Sequence, residues 1–421
     1  MAAAAGCGLL LRRIRLPHEL PVVGQPMTKS FLRVGARALE RRPGAAAIEV
    51  KDPSGLIPAV VGSWPTMLLA LALSTITTAG QPAKADSAQW DAMMAAAKKE
   101  GSVRVSLPNG LPNLGPELAK PFQKRFGIEL NAANDNASIQ MRVEQEANAG
   151  KLSVDVILSG AGELLGLYPE KLLAPVRPLL VEPETVDETK WRDGKIKWID
   201  NAQQYMPMSS EWVHLDLVVN ADFVKPSDIT SWQDLLDPKY KGKIIALMPT
   251  LGAGGATARA LLEDFGPDYL RDLYLGQSIK ITRNASELVR TIATGSQPIG
   301  LALLPEHMED FRKQGFNLVR VFPTDGKQST SGGSANAKLV ANAPHPNAAA
   351  VFINWFMSKD GQDLYAADSL EPSRRLDVKV EAIPDYIIPK SGIAYRDQYQ
   401  ENYYTKVAVE MRARIEQLLG R

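Results

Sequence analysis

The stretch EANAGKLSVDVILSG, residues 146–160, decides the fold class. It begins with the end of a predicted helix, Ser138 to Ala149, and Gly150 is the residue type that commonly follows a helix end. Val154 to Ser159 (VDVILS) is then a nearly continuous apolar run, which is typical of a strand buried on both faces of a sheet. The stretch therefore predicts a helix that leads into a central strand, as in an α/β protein.

Helical and extended patterns alternate on both sides of this stretch, which favours sheets covered by helices. Before it, the predicted elements are Trp90 to Lys99 (helix), Ser102 to Ser106 (strand), Pro112 to Phe126 (helix) and Ile128 to Asn131 (strand). After it come two extended segments, Tyr205 to Met208 and Trp212 to Asn220, and then a second set: Ile244 to Leu247, Ala256 to Phe265, Asp268 to Leu275, Ile279 to Thr282, Ala285 to Thr294 and Ile299 to Leu303. The last predicted elements are Leu318 to Phe322, Lys338 to Ala341, Pro346 to Met357, Gly361 to Ala367 and Lys406 to Leu419. The pattern predicts two α/β lobes, each a mostly parallel sheet flanked by helices, joined by extended crossings.

Composition excludes several classes of protein. The 421 residues are 45% hydrophobic and 23% charged, so the chain can fill real cores. Cys7 is the single cysteine, which rules out an internal disulfide, and no cysteine and histidine cluster has the spacing of a zinc site. The chain after residue 85 is mildly acidic and has no basic stripe, which argues against a nucleic-acid partner.

The N-terminal region, residues 1–85, predicts an export leader. Met67 to Leu73 (MLLALAL) is a short apolar run, and it leads to Ala83-Lys84-Ala85, an A-x-A cleavage pattern. We expect cleavage after Ala85 and a periplasmic product. An N-terminal membrane anchor is the alternative, but the apolar run is too short to span a bilayer as a stable helix.

Four segments resemble one family, the extracellular solute-binding proteins of ABC importers. Besides the opening stretch, they are AAAKKEGSVRV (95–105), WQDLLDPKYKGKI (232–244) and APHPNAAAVFINWFMSKDGQ (343–362). The similarity is to the ferric-iron-type and phosphonate-type branch of the type II periplasmic binding fold. That resemblance implies a monomer without a cofactor that binds a small solute in a cleft between two lobes and delivers it to an ABC permease in the inner membrane.

The resemblance also implies a domain order. We expect lobe 1 at 86–216, lobe 2 at 217–323 and a return to lobe 1 at 324–421 with the C-terminal helices. The two hinge strands are expected near 217–220 and 321–324. A ligand that touches both lobes would favour the closed form over the open one.

The loop TLGAGGAT, residues 250–257, is the most informative candidate site. It follows a predicted strand and opens a helix, and its glycines would let the backbone approach an anion at the helix N-terminus. The predicted ligand-binding residues here are Thr250, Gly252, Gly254 and Gly255. The loop lacks the Lys-Ser/Thr of a P-loop, which disfavours nucleotide binding. The alternative is that the glycines only permit a tight turn.

Polar residues also follow the strands of the first lobe, at the edge where ligands bind in α/β proteins. Ser106 and Asn109 lie at the end of the first strand and in the loop after it, and Ser159 and Gly160 lie at the end of VDVILS. We predict that they complete a site for an anionic solute. Capping of the following helices is an equally good alternative for each residue.

The same resemblance allows the iron ligands of ferric-binding members to be compared with the corresponding residues of this chain. Ferric-binding members carry adjacent tyrosines after the strand that corresponds to Ile299 to Leu303, but this chain has LPEHM at 304–308. Tyr403 and Tyr404 could replace them, although packing is the commoner role for such residues. Glu306 and His307 are instead predicted to reach an amine or a hydroxyl on the solute, and a solvated helix start is an equally good alternative.

The segment EPSRR, residues 371–375, lies where many relatives have a proline followed by a basic residue near the cleft rim. Arg374 is therefore predicted to pair with a carboxylate or phosphonate group. For Arg375, an ion pair on the protein surface is at least as good an explanation. No catalytic motif such as G-x-S-x-G or H-E-x-x-H is present, so a periplasmic enzyme on this scaffold is the less favoured hypothesis. A ferric-iron transport protein without the tyrosine pair is the other alternative hypothesis for the function.

Overall fold

The computed structural model describes residues 87–108 and 111–420. Its helices are α1 (Ser87–Glu100), α2 (Leu114–Phe126), α3 (Asn136–Asn148), α4 (Pro183–Val186), α5 (Gly252–Arg271), α6 (Ala285–Ala293), α7 (Pro305–Lys313), α8 (Pro346–Met357), α9 (Lys359–Ser369) and α10 (Ala408–Leu419). Its strands are β1 (Ser102–Ser106), β2 (Glu129–Ala133), β3 (Val156–Ser159), β4 (Leu173–Ala174), β5 (Leu215–Asn220), β6 (Ile244–Leu247), β7 (Lys280–Thr282), β8 (Ile299–Leu303), β9 (Leu318–Arg320), β10 (Ser329–Thr330), β11 (Asn336–Val340) and β12 (Arg396–Asp397). The predicted leader and its cleavage site lie outside the described residues.

The strands form two five-stranded sheets and one small two-stranded sheet. The first sheet has the order β2-β1-β3-β11-β4 and the second β7-β6-β8-β5-β9. This confirms the predicted two-lobed α/β fold. We call the part of the molecule built on the first sheet lobe 1 and the part built on the second lobe 2.

Each sheet mixes parallel and antiparallel pairs in the same way. In lobe 1, β1 is parallel to β2 and β3, whereas β11 is antiparallel to β3 and β4. In lobe 2, β6 is parallel to β7 and β8, whereas β5 is antiparallel to β8 and β9. The antiparallel strands β5 and β11 are the first long strands after the chain crosses from one lobe to the other. The sheets are therefore less parallel than helix and strand alternation alone predicts.

The crossings pair with each other between the lobes. The amide of His214 donates to the carbonyl of Ser329 at 3.0 Å, and the amide of Ser331 donates to the carbonyl of Trp212 at 2.8 Å. The segments predicted as hinges, 217–220 and 321–324, lie elsewhere: the first is part of β5, and the amide of Val321 donates to the carbonyl of Leu217 within lobe 2. The crossings are thus displaced several residues toward lobe 1.

The C-terminal region does not pack where the predicted boundary at 324 puts it. Ile415 and Leu419 of α10 lie in the apolar core of lobe 2, together with Leu261 of α5. Ile383 and Ile387 also pack among lobe 2 residues. The chain therefore returns to lobe 1 through β11, α8 and α9. Its C-terminal segment then packs on lobe 2. Apolar periodicity identifies the helix α10 but carries no information about which core it joins.

Two predicted helices of lobe 2 form one longer element. Ala256 to Phe265 and Asp268 to Leu275 were expected to be separate, but α5 runs from Gly252 to Arg271 and continues into a π-helical turn, Asp272–Gly276. Gly266 interrupts the helix with φ 80° and ψ 179°, immediately before Pro267. Positive φ at this position favours glycine, so the break predicted between the two helices survives as a kink.

Among the helices of residues 87–420, none combines the length and apolar character that a membrane span requires.

Candidate functional site

The two helices that follow the central strands of lobe 2 begin side by side. β6 and β8 are parallel neighbours, with Ala246 opposite Leu301, so their carboxyl ends lie at the same edge of the sheet. The loop after β6 leads to α5 at Gly252, and the loop after β8 leads to α7 at Pro305. Ligands of α/β proteins bind at such an edge, next to helix N-termini. This edge contains the predicted residues Thr250 and Glu306.

The glycines of the 250–257 loop have different roles. Gly252 has φ 51°, which favours glycine at the start of α5. A Cβ on Gly254 would lie 2.4 Å from the carbonyl oxygen of Met248 and 2.7 Å from that of Leu247, so this glycine allows α5 to pack directly on the end of β6. A Cβ on Gly255 would lie 3.1 Å from the carbonyl carbon of Thr250. The close packing supports the alternative reading of Gly254 and Gly255, in which they serve backbone packing.

The end of β1 is tied to the start of α3. The buried Ser106 hydroxyl lies 2.5 Å from Oδ1 of Asp135 and 2.6 Å from Oδ1 of Asn136. Ser106 therefore connects the strand to the next helix, which matches its alternative structural reading. Asn109 lies outside the described residues, and its predicted role stays a prediction.

A buried lysine that the sequence analysis overlooked lies beside the end of β3. The ammonium of Lys338, on β11, donates to the carbonyl and hydroxyl oxygens of Ser159 at 2.8 Å each and to the carbonyl of Asn336 at 3.1 Å. Glu163 supplies the countercharge at 3.4 Å. Burial lowers the pKa of Lys338, which is fully enclosed. The Ser159 hydroxyl is thus already occupied by the lysine.

Gly160 follows Ser159 and lies close to the second crossing. A Cβ on Gly160 would be 3.6 Å from the carbonyl oxygen of Gly333, an ordinary contact distance. Nothing in its geometry requires a glycine, and its predicted contact with a solute stays a prediction.

Arg374 is not at the rim of the cleft. Its side chain is 1% exposed and forms ion pairs with Glu211 and, at 3.1 Å, with Asp193. Arg192 and Lys197 also contact Glu211, at 3.2 and 2.9 Å. This placement argues against the predicted role of Arg374 in solute binding, because its charge is matched inside the protein. The neighbouring Arg375 is equally buried, against Trp191.

Glu306 is the predicted site residue that the fold leaves open. It is the second residue of α7, and its side chain is exposed. The surrounding protein nevertheless desolvates the carboxyl group and raises its pKa to about 7, and the negative charge of Glu371 adds to this effect. Glu371, which the sequence analysis quoted only as part of EPSRR, therefore belongs to the candidate site.

Three hydroxyl groups hold Glu371 in place. Its Oε2 accepts from Ser210 Oγ at 2.7 Å, from Tyr365 OH at 2.6 Å and from the amide of Ser334 at 3.1 Å, while its Oε1 accepts from the hydroxyl of Ser334. Ser210 lies at the first crossing and Ser334 just after the second. Burial raises the pKa of Tyr365 well above its usual value, so this phenol remains protonated and donates. Serines and a tyrosine from distant segments carry no local pattern, so the sequence alone did not indicate them.

Tyr403 and Tyr404 do not form a pair of free phenols. The hydroxyl of Tyr403 donates to Glu263 at 2.5 Å, and the ring of Tyr404 stacks on Tyr399 with centroids 6.1 Å apart. In the part of the chain that the structure describes, no group of three or more His, Cys, Asp or Glu residues is placed to hold a metal ion.

A separate pocket lies within lobe 2 and is lined in part by Asp216, Thr257 and Arg320. Two of its charged groups, Asp216 and Arg320, already have hydrogen-bond partners. Asp216 accepts from the hydroxyl of Thr257 at 2.5 Å, and Arg320 donates to the carbonyls of His214, at 2.7 Å, and of Tyr386. These contacts indicate a structural role, so we place the candidate site at Glu306 and Glu371.

Solved structures of several binding proteins share this fold. Iron-bound HitA from Pseudomonas aeruginosa is similar with a TM-score of 0.58 and 17% identity, over 75% of this chain and 99% of that chain. The ferric iron-binding protein A of Mannheimia haemolytica in an open conformation has a TM-score of 0.59 and 15% identity, over 76% and 98%. A Bordetella ferric binding protein has a TM-score of 0.57 and 22% identity, over 75% and 98%. At these identities the likeness shows the fold alone.

Sequence comparison adds the family. An uncharacterized protein of Haemophilus influenzae is 29% identical over 138 residues, which is 32% of this chain and 38% of that protein. The chain thus spans well under two thirds of the length of this relative. The family model for bacterial extracellular solute-binding proteins matches residues 117–376, more than half of the chain, and this range includes both crossings and the candidate site. The chain belongs to the bacterial extracellular solute-binding protein family.

Proposed function

We propose that this protein is the solute-binding component of an ABC importer. It captures a small solute between the two lobes in the periplasm and delivers it to a permease in the inner membrane. The observation that carries the proposal is the family match over both lobes and both crossings. The paired crossings support a hinge, because two neighbouring extended segments join the lobes there and a solute that contacts both lobes would favour closure.

The solute is expected to lie at the edge where α5 and α7 begin. The prediction of an anionic solute now depends on the first turn of α5. Arg374 is already paired with acidic side chains of the protein, and Gly254 serves backbone packing. A Gly254→Val variant is no longer a clean test of anion binding, because its side chain would displace the end of β6. The screen below examines the charge of the solute without that variant.

A thermal-shift screen of the purified protein tests the proposed function. The compounds are phosphonates, sulfonates, carboxylates, amines and ferric citrate. A solute at about a hundred times its dissociation constant stabilises a fold by about 2.7 kcal/mol, which such a screen detects readily. Binding without turnover of the compound supports the proposal, whereas turnover would favour the alternative of a periplasmic enzyme. Failure of all compound classes would contradict it.

Ferric iron remains the alternative solute, and it has a distinct optical test. Tyrosine ligation to ferric iron gives a visible charge-transfer band. Because Tyr403 is hydrogen-bonded to Glu263 and Tyr404 stacks on Tyr399, we expect no such band after addition of ferric citrate. A band that disappears in the double variant Tyr403→Phe and Tyr404→Phe would overturn the site assignment.

A further inference from the structure

A third extended segment lies on the two crossings between the lobes. Strand β12 pairs in parallel with β10, which belongs to the second crossing, and β10 in turn bridges to Val213 of the first. A Cβ on Gly332 would lie 2.7 Å from the Cβ of Tyr399, so the segment after β12 packs directly on the backbone of the second crossing. We call this segment, residues 396–404, the strap.

Buried polar contacts anchor the strap to α5 of lobe 2. Arg396 is 8% exposed and forms ion pairs with two carboxylates of α5, Glu263 at 2.6 Å and Asp264. The fully buried side chain of Gln398 accepts from Arg259 Nε at 3.0 Å and donates to a backbone carbonyl of the same helix at 2.9 Å. The chain then continues into α10, which packs in the core of lobe 2. The strap is thus fixed to lobe 2 on both of its sides in the chain.

The same strap also reaches lobe 1. Asp397 pairs with Lys197 at 2.6 Å, and both side chains are 24% exposed. The amide of Glu401 donates to the carbonyl of Ile199, a core residue of lobe 1, at 3.0 Å. The carboxylate of Glu401 accepts from the amide of Asn201 at 2.7 Å. We call these contacts the latch.

The anchor and the latch differ in how easily they break. Rotation of the lobes changes the distances between residues fixed to different lobes, and hydrogen bonds hold only over a narrow range of distances. Separating Arg396 from its two carboxylates is costly, because its charge would remain buried without a partner. The latch groups are partly exposed, so water can take the place of their partners. The latch is therefore the set of contacts that breaks when the lobes rotate.

We propose that the strap restrains the hinge: it moves with lobe 2, and its latch holds lobe 1 in one orientation until the latch breaks. Two crossings alone would act as a simple hinge, whereas the latch adds contacts that exist in only one of two lobe orientations. A solute that changes the orientation of the lobes must then work against the latch or with it. The inference concerns lobe motion and holds whichever solute is bound.

Interlobe distances, measured by pulsed electron spin resonance without added solute, test the proposal. The exported chain after residue 85 contains no cysteine, so Lys124→Cys on α2 and Arg290→Cys on α6 place one spin label on each lobe at exposed positions. In this background, Asp397→Asn with Glu401→Gln weakens the latch and leaves the anchor in place. We expect the population at a displaced distance to grow about tenfold relative to the latched one.

The matched control is Glu416→Gln, which removes one acidic charge from α10 outside the strap. It should leave the distance distribution unchanged. A milder latch variant, Asn402→Ala, removes one hydrogen bond to Asn201, of 3.1 Å, and should change the distribution in the same direction but less. This variant decides the question if circular dichroism shows that the double variant does not fold.

The outcomes separate this inference from the proposed function. Unchanged distances in folded latch variants would overturn the restraint and leave the solute-binding function standing. An equal displacement in Glu416→Gln would show a general effect of lost acidic charge and would also overturn it. Displacement confined to the latch variants supports the restraint, whatever the thermal-shift screen returns.

Discussion

Two groups of carboxylates differ in whether cations of the protein neutralise their charge. Glu211 contacts three cations, Arg192, Lys197 and Arg374, and the acids Asp193 and Asp397 balance the cluster. Glu306 and Glu371, in contrast, are matched by no cation of the described residues. Buried charges that serve the fold are paired inside it, because an unmatched buried charge is costly. The comparison thus separates carboxylates that the fold neutralises from carboxylates that it leaves without a countercharge.

The largest expected effect breaks the paired region. Glu211→Gln keeps the shape of the side chain and removes the charge that holds Arg192, Lys197 and Arg374 together. Although burial alone would raise it, these cations hold the pKa of Glu211 below its usual value. We expect the free energy of unfolding to fall by about 3 to 5 kcal/mol, measured by urea denaturation.

The matched control is a carboxylate on the surface. Glu416 pairs with Arg412 at 3.0 Å on α10, with both side chains well exposed. Glu416→Gln should change the free energy of unfolding by no more than about 0.5 kcal/mol. Equal losses in the two variants would contradict the distinction between a structural charge cluster and surface ion pairs.

A second buried pair sharpens the comparison. Lys338→Met removes three hydrogen bonds and leaves Glu163, which is itself buried, without its countercharge. We expect a loss of about 2 to 4 kcal/mol in the free energy of unfolding. Adding Glu163→Leu removes the stranded charge and should restore about 1 kcal/mol or more. A double variant that is less stable than Lys338→Met alone would show that the carboxylate has another partner.

The sequence predicts the elements of this fold better than their partners. Helix α8, Pro346–Met357, and strand β1, Ser102–Ser106, lie at the predicted positions, because apolar spacing and flanking glycines are local signals. The lobe that α10 joins could not be predicted, since its apolar face fits either core. Antiparallel pairing of β5 and β11 likewise depends on how the chain crosses between lobes.

The candidate site was predictable only where a local pattern exists. Glu306 follows a strand and opens a helix, so its position at the carboxyl edge of the sheet could be inferred. Arg374 was predicted from the resemblance, and its burial argues against a place at the cleft rim. A basic side chain carries no local sign that Glu211 and Asp193 will pair with it inside the protein. Glu371, Ser210, Ser334 and Tyr365 come together only through tertiary contacts.

The smallest expected effect has the opposite sign and concerns the unpaired region. The pKa of Glu306 in the folded protein is about 7, above its ordinary value of 4.5. Between these values the folded state binds more protons than the unfolded state, so the free energy of unfolding falls as the pH rises from about 4.5 through about 7.

Glu306→Gln removes this dependence. At pH 8 we expect the variant to be more stable than the original protein, by about 1 kcal/mol or less because solvent screens an exposed carboxylate. Below about pH 4.5 the difference attributable to Glu306 should vanish, since the carboxyl group is then protonated in both states. Urea denaturation at pH 4.5, 6 and 8, with Asp268→Asn as a control for loss of one surface charge, measures the trend. A variant that is less stable at pH 8 would mean that Glu306 has a favourable partner within the protein, and the contrast with Glu211 would fail.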